Sequence, residues 1–141
     1  MRISPELLEQ IVAHALENPR IECCGVVAVQ PAGDGDGEKA ATRVYRAENV
    51  HASALRFEIA PMELLALSEA IEDEGWEIGA IYHSHVRSEP YPSQTDIGFA
   101  AGWPGLEWII VGLAAGEQPN VRSYVIDGAQ VREVALQGVA S

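Results

Sequence analysis

Apolar residues recur three and four positions apart in two segments of the chain, the spacing that puts side chains on one face of an α-helix. This pattern predicts an amphipathic helix over residues 5–17 and a second over residues 61–74, ended by Gly75. Ser4 suits the N-cap of the first helix, because its hydroxyl can accept from a free backbone N–H in the first turn. A third, shorter helix is predicted after Ser93.

Short apolar or alternating segments between the helices, bounded by Gly, Pro, Asn and Asp, predict strands. These segments are residues 21–30, 42–48, 55–59, 76–82, 108–111, 121–126 and 131–136. The last two are expected to pair as a hairpin through Asp127-Gly128. The Gly- and Asp-rich residues 31–40 are interpreted as a flexible hairpin connection and residues 138–141 as a frayed tail. The order of elements predicts an α/β fold, a mixed β-sheet with flanking helices, with residues 1–141 as a single compact domain.

Composition excludes several classes of function. The 141 residues are enough for one hydrophobic core, and 48% of them are apolar without a run long enough to span a membrane. The net charge of −12, from nine Lys and Arg against 21 Asp and Glu, argues against nucleic acid, because phosphate binding needs clustered cations. No signal-peptide core is evident, and the adjacent Cys23 and Cys24 cannot readily bridge each other. A cytoplasmic protein with no membrane partner is expected.

Candidate chemistry lies in His83-Ser84-His85 and in the turn from Ser93 to Asp96. Strand side chains alternate between faces, so the two histidines share a face and can converge on one ion. Asp96 adds an oxygen ligand of the kind that zinc accepts beside two imidazole nitrogens, which leaves a fourth position for water. His83, His85 and Asp96 therefore predict a catalytic Zn²⁺ site. Ser93 and Asp96 also fit a helix start, and cap and ligand are compatible roles.

Four further residues have more than one interpretation. Glu22 begins an apolar segment, where a carboxylate usually lies at an exposed strand end and a functional role is the alternative. Cys24 shares its predicted strand face with Glu22, and a small core residue is a commoner fate for it than a fourth metal ligand. His14 is interpreted as a surface or packing residue of the first helix, and His51 as a solvated loop residue.

The motif at residues 83–85, followed after seven residues by Ser93 and after two more by Asp96, resembles the JAMM (MPN+, Mov34/MPN/PAD-1) zinc metalloprotease family. That family also has a glutamate at the end of an early strand, and Glu22 stands at the matching position. The resemblance covers essentially the whole chain. It is strongest to prokaryotic members, including the Mec-type enzymes that act on sulfur-carrier proteins. It implies the JAMM/MPN fold, a sandwich similar to that of cytidine deaminases.

The resemblance also implies a function, a zinc-dependent amide or isopeptide hydrolase with one Zn²⁺ per chain. In that family role, Glu22 is the general base and then the general acid, and Ser93 donates a hydrogen bond to the oxyanion. The implied substrate is the C-terminal tail of a ubiquitin-like or sulfur-carrier β-grasp protein. This chain has little room for the insertions with which larger relatives clamp ubiquitin. Two alternatives stay open, a generic small-peptide metallopeptidase and a non-catalytic MPN scaffold, although the intact ligand set argues against the scaffold.

Overall fold

A six-stranded β-sheet organises the residues that the computed structural model describes, namely 1–31, 39–114 and 118–138. Three helices and eight strands are assigned within these ranges. In chain order they are β1 (Arg2–Ile3), α1 (Pro5–Glu17), β2 (Cys24–Val29), β3 (Ala41–Ala47), α2 (Pro61–Asp73), β4 (Glu77–His85), α3 (Gln94–Ala100), β5 (Glu107–Gly112), β6 (Asn120–Asp127), β7 (Gln130–Val134) and β8 (Gln137–Gly138).

The strand order of the large sheet is β3-β2-β4-β5-β6-β7. Its neighbouring pairs are antiparallel except β4 and β5, which are parallel and are connected through α3. Parallel strands end at the same edge of a sheet, so the C-terminal ends of β4 and β5 lie together, with His85 opposite Gly112. This edge carries the candidate site. β1 and β8 form a separate parallel pair.

Both faces of the large sheet are covered, which explains why all six residues of β2 are buried. On one face α1 packs through Ile11 against a cluster that includes Val27. On the other face α2 and α3 contribute Ile71 and Ala100 to a second cluster that includes Val26. Neighbouring valines of β2 fall into different layers because strand side chains alternate. The predicted mixed sheet with flanking helices is confirmed.

The predicted helices are confirmed as well. The Ser4 hydroxyl accepts a hydrogen bond from the backbone N–H of Leu7 at 3.3 Å and so caps α1. After α2 the chain reverses at Gly75, whose φ of 80° suits a residue without a Cβ atom. α3 follows Ser93 directly. Among the described residues, no helix combines the length and the apolar character needed to cross a bilayer.

The strand predicted over residues 55–59 is wrong, because no strand is assigned there. The side chain of Asn49 forms hydrogen bonds to the backbone of this segment, in place of those that a neighbouring strand would form. Its Nδ2 donates to the carbonyl of Arg56 at 3.0 Å, and its Oδ1 accepts from the N–H of Glu58 at 3.2 Å. The apolar alternation in this segment reflects the burial of Phe57 and Ile59 against the sheet rather than a hydrogen-bonded ladder.

Some strand boundaries also differ from the prediction. β2 begins at Cys24 rather than at residue 21, so Glu22 lies just before the strand. β4 extends beyond residue 82 and contains both His83 and His85. The two histidines are therefore held by the hydrogen bonds of the sheet and do not lie on the loop that follows it.

The hairpin of β6 and β7 is confirmed, with Asp127 opposite Gln130. β2 and β3 pair antiparallel, as a hairpin connection requires. Residues 32–38 of that connection, and residues 139–141 of the predicted tail, lie outside the described residues. The tail prediction is wrong at Gly138, which belongs to β8 and pairs with β1. Two-residue strands are too short to show a hydrophobic period, so neither β1 nor β8 was predictable.

Candidate metal centre

The candidate centre begins at the C-terminal end of β4. His83 and His85 point to one face of the strand, and Ser84 points to the other. The Ser84 hydroxyl accepts a hydrogen bond from the N–H of Cys23 at 2.9 Å, and the N–H of Ser84 donates to the carbonyl of Cys23 at 3.2 Å. These two bonds hold the end of β4 to the residue after Glu22. Ser84 therefore has a structural role, because its contacts hold β4 to the segment before β2.

Asp96 reaches the same place from the first turn of α3. The Ser93 hydroxyl accepts from the N–H of Asp96 at 3.1 Å, and the N–H of Ser93 donates to Asp96 Oδ2 at 2.9 Å. This reciprocal pair is a capping box, which satisfies two backbone donors at the start of the helix. The hydrogen bonds that start the helix therefore also orient the Asp96 carboxylate as a candidate ligand.

Three donor atoms converge at the centre. His83 Nε2 lies 3.1 Å from His85 Nε2 and 3.1 Å from Asp96 Oδ2, and His85 Nε2 lies 3.2 Å from the same oxygen. Donor atoms about 2.0–2.1 Å from a tetrahedral Zn²⁺ lie roughly 3.3 Å from one another, so the observed triangle has nearly the required size. The residues are 0%, 4% and 5% exposed, respectively. Their spacing and donor types fit a metal ion.

The hydrogen bonds of His85 give a second test of that fit. Its Nδ1 lies 2.8 Å from the carbonyl oxygen of Glu89, which can only accept, so Nδ1 carries the proton. In the neutral ring Nε2 then carries a lone pair, which faces the carboxylate of Asp96. These two lone pairs repel each other unless a metal ion or a proton on Nε2 lies between them. This is the tautomer and the partner that a histidine ligand of a metal usually has.

The pKa shifts of the three side chains are consistent with a site for positive charge. Burial acts to raise the pKa of Asp96, but hydrogen bonds and charge from His83 and His85 outweigh it and hold the pKa far below its ordinary value. Burial lowers the pKa of His83 despite the opposing effect of Asp96. For His85, burial is outweighed by Asp96 and the Glu89 carbonyl, and the pKa is raised. The cluster therefore holds an ionised carboxylate and attracts positive charge.

Glu22 is buried beside this cluster. Cys24 pairs with His83 across β2 and β4, so the same register two residues further places Glu22 opposite His85. The N–H of Glu22 donates to the carbonyl of Ser53 at 2.8 Å. Its Oε1 is buried without a hydrogen-bond partner among the described residues. Burial raises the pKa of Glu22 to about 8, opposed by the charge of His85.

The structure thus brings together three of the five predicted site residues, His83, His85 and Asp96, as a cluster of possible metal ligands. Glu22 lies next to them. Ser93 lies at their exposed rim on the α3 cap, where its hydroxyl accepts from the helix and keeps its own proton free to donate.

The other candidate residues do not join the cluster. The Nδ1 of His14 lies 2.7 Å from the hydroxyl of Tyr82, and His51 Nε2 lies 2.9 Å from a carboxylate oxygen of Glu58. Cys24 belongs to the apolar cluster under α2, and burial raises the pKa of its thiol to about 12. These contacts agree with a packing role for His14 and Cys24 and with a loop role for His51.

Three residues that support the site were not predicted. The ring of Phe57 stacks on His83, with centroids 4.4 Å apart and planes at 23°. The Asn49 side chain donates to the carbonyl of Glu22 at 3.0 Å, and the Glu89 carbonyl accepts from His85. Asn49 and Phe57 come from the segment between β3 and α2, which no sequence spacing connects to the histidines. The burial of Asn49 is visible only in the structure, so no signal in the sequence marked this segment.

A His-His-Asp cluster with a neighbouring buried carboxylate is the arrangement of a mononuclear metal hydrolase centre. The chain belongs to the family of prokaryotic homologues of the JAB domain, whose sequence model matches residues 4–127. The family resemblance stated from the motif is therefore confirmed.

Comparison with individual proteins agrees with this membership. The chain is 35% identical over 115 residues to a desampylase of Haloferax volcanii, which covers 78% of each chain. It is 31% identical over 132 residues to a CysO-cysteine peptidase of Mycobacterium tuberculosis, covering 93% of this chain and 86% of the relative. A protein of Desulfitobacterium hafniense with a known solution structure is 27% identical, with a TM-score of 0.83 over 98% of this chain and 93% of that protein.

Proposed function

We propose that this protein is a zinc-dependent amide hydrolase that acts at the C-terminal tail of a ubiquitin-like or sulfur-carrier β-grasp protein. The observation that carries the proposal is the convergence of His83 Nε2, His85 Nε2 and Asp96 Oδ2 beside the buried Glu22. The names of two relatives, a desampylase and a CysO-cysteine peptidase, support the choice of substrate class.

His83, His85 and Asp96 would hold one Zn²⁺ per chain. When bound, Zn²⁺ supplies a Lewis acid that brings the pKa of water toward ~7 and polarises the scissile carbonyl. The three side chains contribute a fixed, nearly dry set of two nitrogens and one oxygen, and the Glu89 carbonyl keeps His85 in the tautomer that a metal ligand needs.

Glu22 is the proposed general base and acid. Its carboxylate has no hydrogen-bond partner at Oε1, so that oxygen is available to take a proton from water and return it to the leaving amine. The Ser93 hydroxyl is the proposed donor to the oxyanion. Overall, one amide and one water become one carboxylate and one ammonium group, and no covalent enzyme intermediate is needed.

Between substrates of this class, we favour a carrier with a single amino acid, such as cysteine, attached after its tail over Lys-linked ubiquitin chains. The name of the Mycobacterium tuberculosis relative specifies a cysteine peptidase of this kind. We also expect residues 1–141 to fold as one domain in the cytoplasm. The free thiols of Cys23 and Cys24 are compatible with that compartment.

Mass spectrometry of a zinc-loaded reaction tests the proposal. A β-grasp carrier ending in Gly-Gly-Cys should lose one cysteine residue when it is incubated with the protein. Glu22→Gln should keep zinc and lose about two to four decades in rate, the usual contribution of a positioned general base. Ser93→Ala should keep zinc and lose about two to three decades, as for a missing oxyanion donor.

Two results would count against this assignment. Rapid cleavage of Lys-linked ubiquitin dimers with the carrier adduct left intact would overturn the choice of substrate. Loss of zinc from Glu22→Gln would make that carboxylate a ligand rather than a base.

A further inference from the structure

A second feature lies at the same edge of the sheet as the metal centre. A cavity of about 480 Å³ is lined by Pro19, Arg20, Val86, Arg87 and Leu113. We call it the arginine pocket. Its volume lies within the range of cavities that hold small ligands. Its wall combines two guanidinium groups with three apolar side chains.

The pairing of β2 and β4 ends close to the arginine pocket. Cys24 lies opposite His83, and the carbonyl of Cys23 accepts from the N–H of Ser84 at 3.2 Å. Before Glu22 the chain forms a turn, in which the N–H of Ile21 donates to the carbonyl of Asn18 at 3.4 Å, and Arg20 lies in that turn.

A hydrogen bond also connects the pocket wall to His85. The N–H of Leu113 donates to the His85 carbonyl at 2.9 Å. Arg20 and Arg87 are each two residues from a group of the centre, Glu22 or His85, and both line the one cavity. The pocket therefore lies at the end of the two segments that carry the general base and a metal ligand.

The charge at this pocket contrasts with that of the chain, which has nine Lys and Arg and a net charge of −12. Lys39, Arg46 and Arg122 each form an ion pair with a glutamate. Among the described residues, neither Arg20 nor Arg87 forms an ion pair. Two guanidinium groups that line one cavity without a carboxylate are both available to an anion in that cavity. Guanidinium groups match a carboxylate in shape and in hydrogen-bond donors.

We infer that Arg20 and Arg87 bind the free α-carboxylate of the amino acid that leaves from the carrier tail. The inference rests on the proposed function. Glu22 returns a proton to the leaving nitrogen, so the leaving group lies on the side of Glu22, and Arg20 of the pocket wall is two residues before Glu22 in the chain. An α-amino acid carries its carboxylate two bonds from that nitrogen. The nitrogen of a lysine side chain in an isopeptide has no carboxylate within that reach, so the two arginines select carrier–amino acid adducts.

A matched pair of probes tests this assignment. One is a fluorescent peptide that ends in Gly-Gly-Cys with a free carboxylate, and the other ends in the corresponding carboxamide. Binding is measured by anisotropy with zinc-loaded Glu22→Gln protein, which should leave both probes intact. Hydrolysis is measured with the zinc-loaded protein that keeps Glu22. Arg20→Gln and Arg87→Gln are each added to both backgrounds.

Arg132→Gln is the control, because Arg132 lines a different cavity on β7 together with Asp127. The protein with both arginines should bind and cleave the free acid about 10- to 100-fold better than the carboxamide, the usual effect of hydrogen bonds to a charged group. Arg20→Gln and Arg87→Gln should weaken binding and cleavage of the free acid much more than those of the carboxamide, and so remove most of this preference. Arg132→Gln should retain the full preference.

Equal binding of acid and carboxamide by the protein with both arginines would overturn the carboxylate site, even if both peptides were hydrolysed and the proposed function stood. An equal loss on both probes in Arg20→Gln or Arg87→Gln would also overturn it, because it would indicate a general structural role. If neither the peptides nor the β-grasp carrier ending in Gly-Gly-Cys were hydrolysed, the proposed function would fail. The binding preference would then show separately whether the arginines recognise a carboxylate.

Discussion

The ring of Phe57 lies flat against the imidazole of His83, with centroids 4.4 Å apart and planes at 23°. Phe57 is itself held by Phe99, whose ring centroid lies 5.7 Å away. The Nδ1 of His83 has no hydrogen-bond partner among the described residues. Outside the cluster of donor atoms, the orientation of this imidazole is therefore set by ring packing, whereas that of His85 is set by a hydrogen bond to the Glu89 carbonyl.

Phe57→Ala should weaken both the fold and the metal centre. Removal of a buried phenylalanine typically costs about 3–5 kcal/mol of stability, and loss of a group that orients a ligand reduces metal affinity about 10- to 100-fold. Urea unfolding and a zinc competition assay measure the two effects. Leu55→Ala, a change on the same segment at a residue that is 84% exposed, should alter stability by less than about 0.5 kcal/mol. Unchanged zinc affinity in folded Phe57→Ala would refute the positioning role.

Gly112→Ala should displace the loop that holds His85. A Cβ atom at Gly112 would lie 2.7 Å from Cδ of Pro90, too close for an ordinary contact, and Pro90 follows the residue whose carbonyl accepts from His85. We expect zinc affinity to fall along with a loss of about 1–3 kcal/mol of stability, the usual cost of overpacking. Gly98→Ala is the matched control in α3, where nothing lies within 4 Å, and it should stabilise by about 0.5–1 kcal/mol. Equal behaviour of the two variants would contradict this account of the loop.

Glu22→Gln should make the metal-free protein more stable. Burial raises the pKa of Glu22 from 4.5 to about 8, so the unfolded chain releases a proton near pH 4.5 that the folded chain keeps until about pH 8. The stability that this group contributes is complete below pH 4.5 and is lost as the pH rises toward 8. Glutamine has no such proton, so the variant should gain up to about 3 kcal/mol at pH 7, at about 1.4 kcal/mol per pKa unit.

Urea unfolding of both proteins with a chelator, at pH 4 and at pH 7, measures this difference. The two proteins should be equally stable at pH 4 and should diverge at pH 7. Glu72→Gln, an exposed change on α2, should differ from the wild type by less than about 0.5 kcal/mol at either pH. A Glu22→Gln protein no more stable than the wild type at pH 7 would show that burial of the ionised Glu22 carboxylate does not destabilise the fold.

Cys23 and Cys24 should be unreactive in the folded protein. Burial raises the pKa of their thiols to about 11 and about 12, respectively, so almost no thiolate forms near pH 8. A thiol reagent should label neither cysteine at pH 8 in the native state and two per chain in denaturant. Since the unfolded chain releases these protons near pH 9, stability should also fall as the pH rises above 9. Fast native labelling of either thiol would contradict the burial.

The sequence was sufficient to predict the features that depend on residues close together in the chain. The 3.6-residue period and the Ser and Pro signals predicted α1, α2 and α3, and the alternation of strand side chains brought His83 and His85 to one face. Asp96 was found because its capping signal and its proposed ligand role share one spacing.

The remaining features depend on long-range packing. The alternation over residues 55–59 predicted a strand, but it arises because Phe57 and Ile59 are buried while Asn49 binds the backbone beside them. Neither the stack on His83 nor the cavity shared by Arg20 and Arg87 leaves a local pattern. Each arises from contacts between segments that are distant in the chain.

The metal content of purified protein tests the central claim, that His83, His85 and Asp96 hold one zinc ion. After exposure to excess Zn²⁺ and gel filtration, elemental analysis should find one zinc per chain in the wild type and in Arg132→Gln. His85→Ala and Asp96→Ala should each contain far less than one, with circular dichroism spectra that still show a folded chain. Zinc retained at one per chain in both of these folded variants would contradict the account.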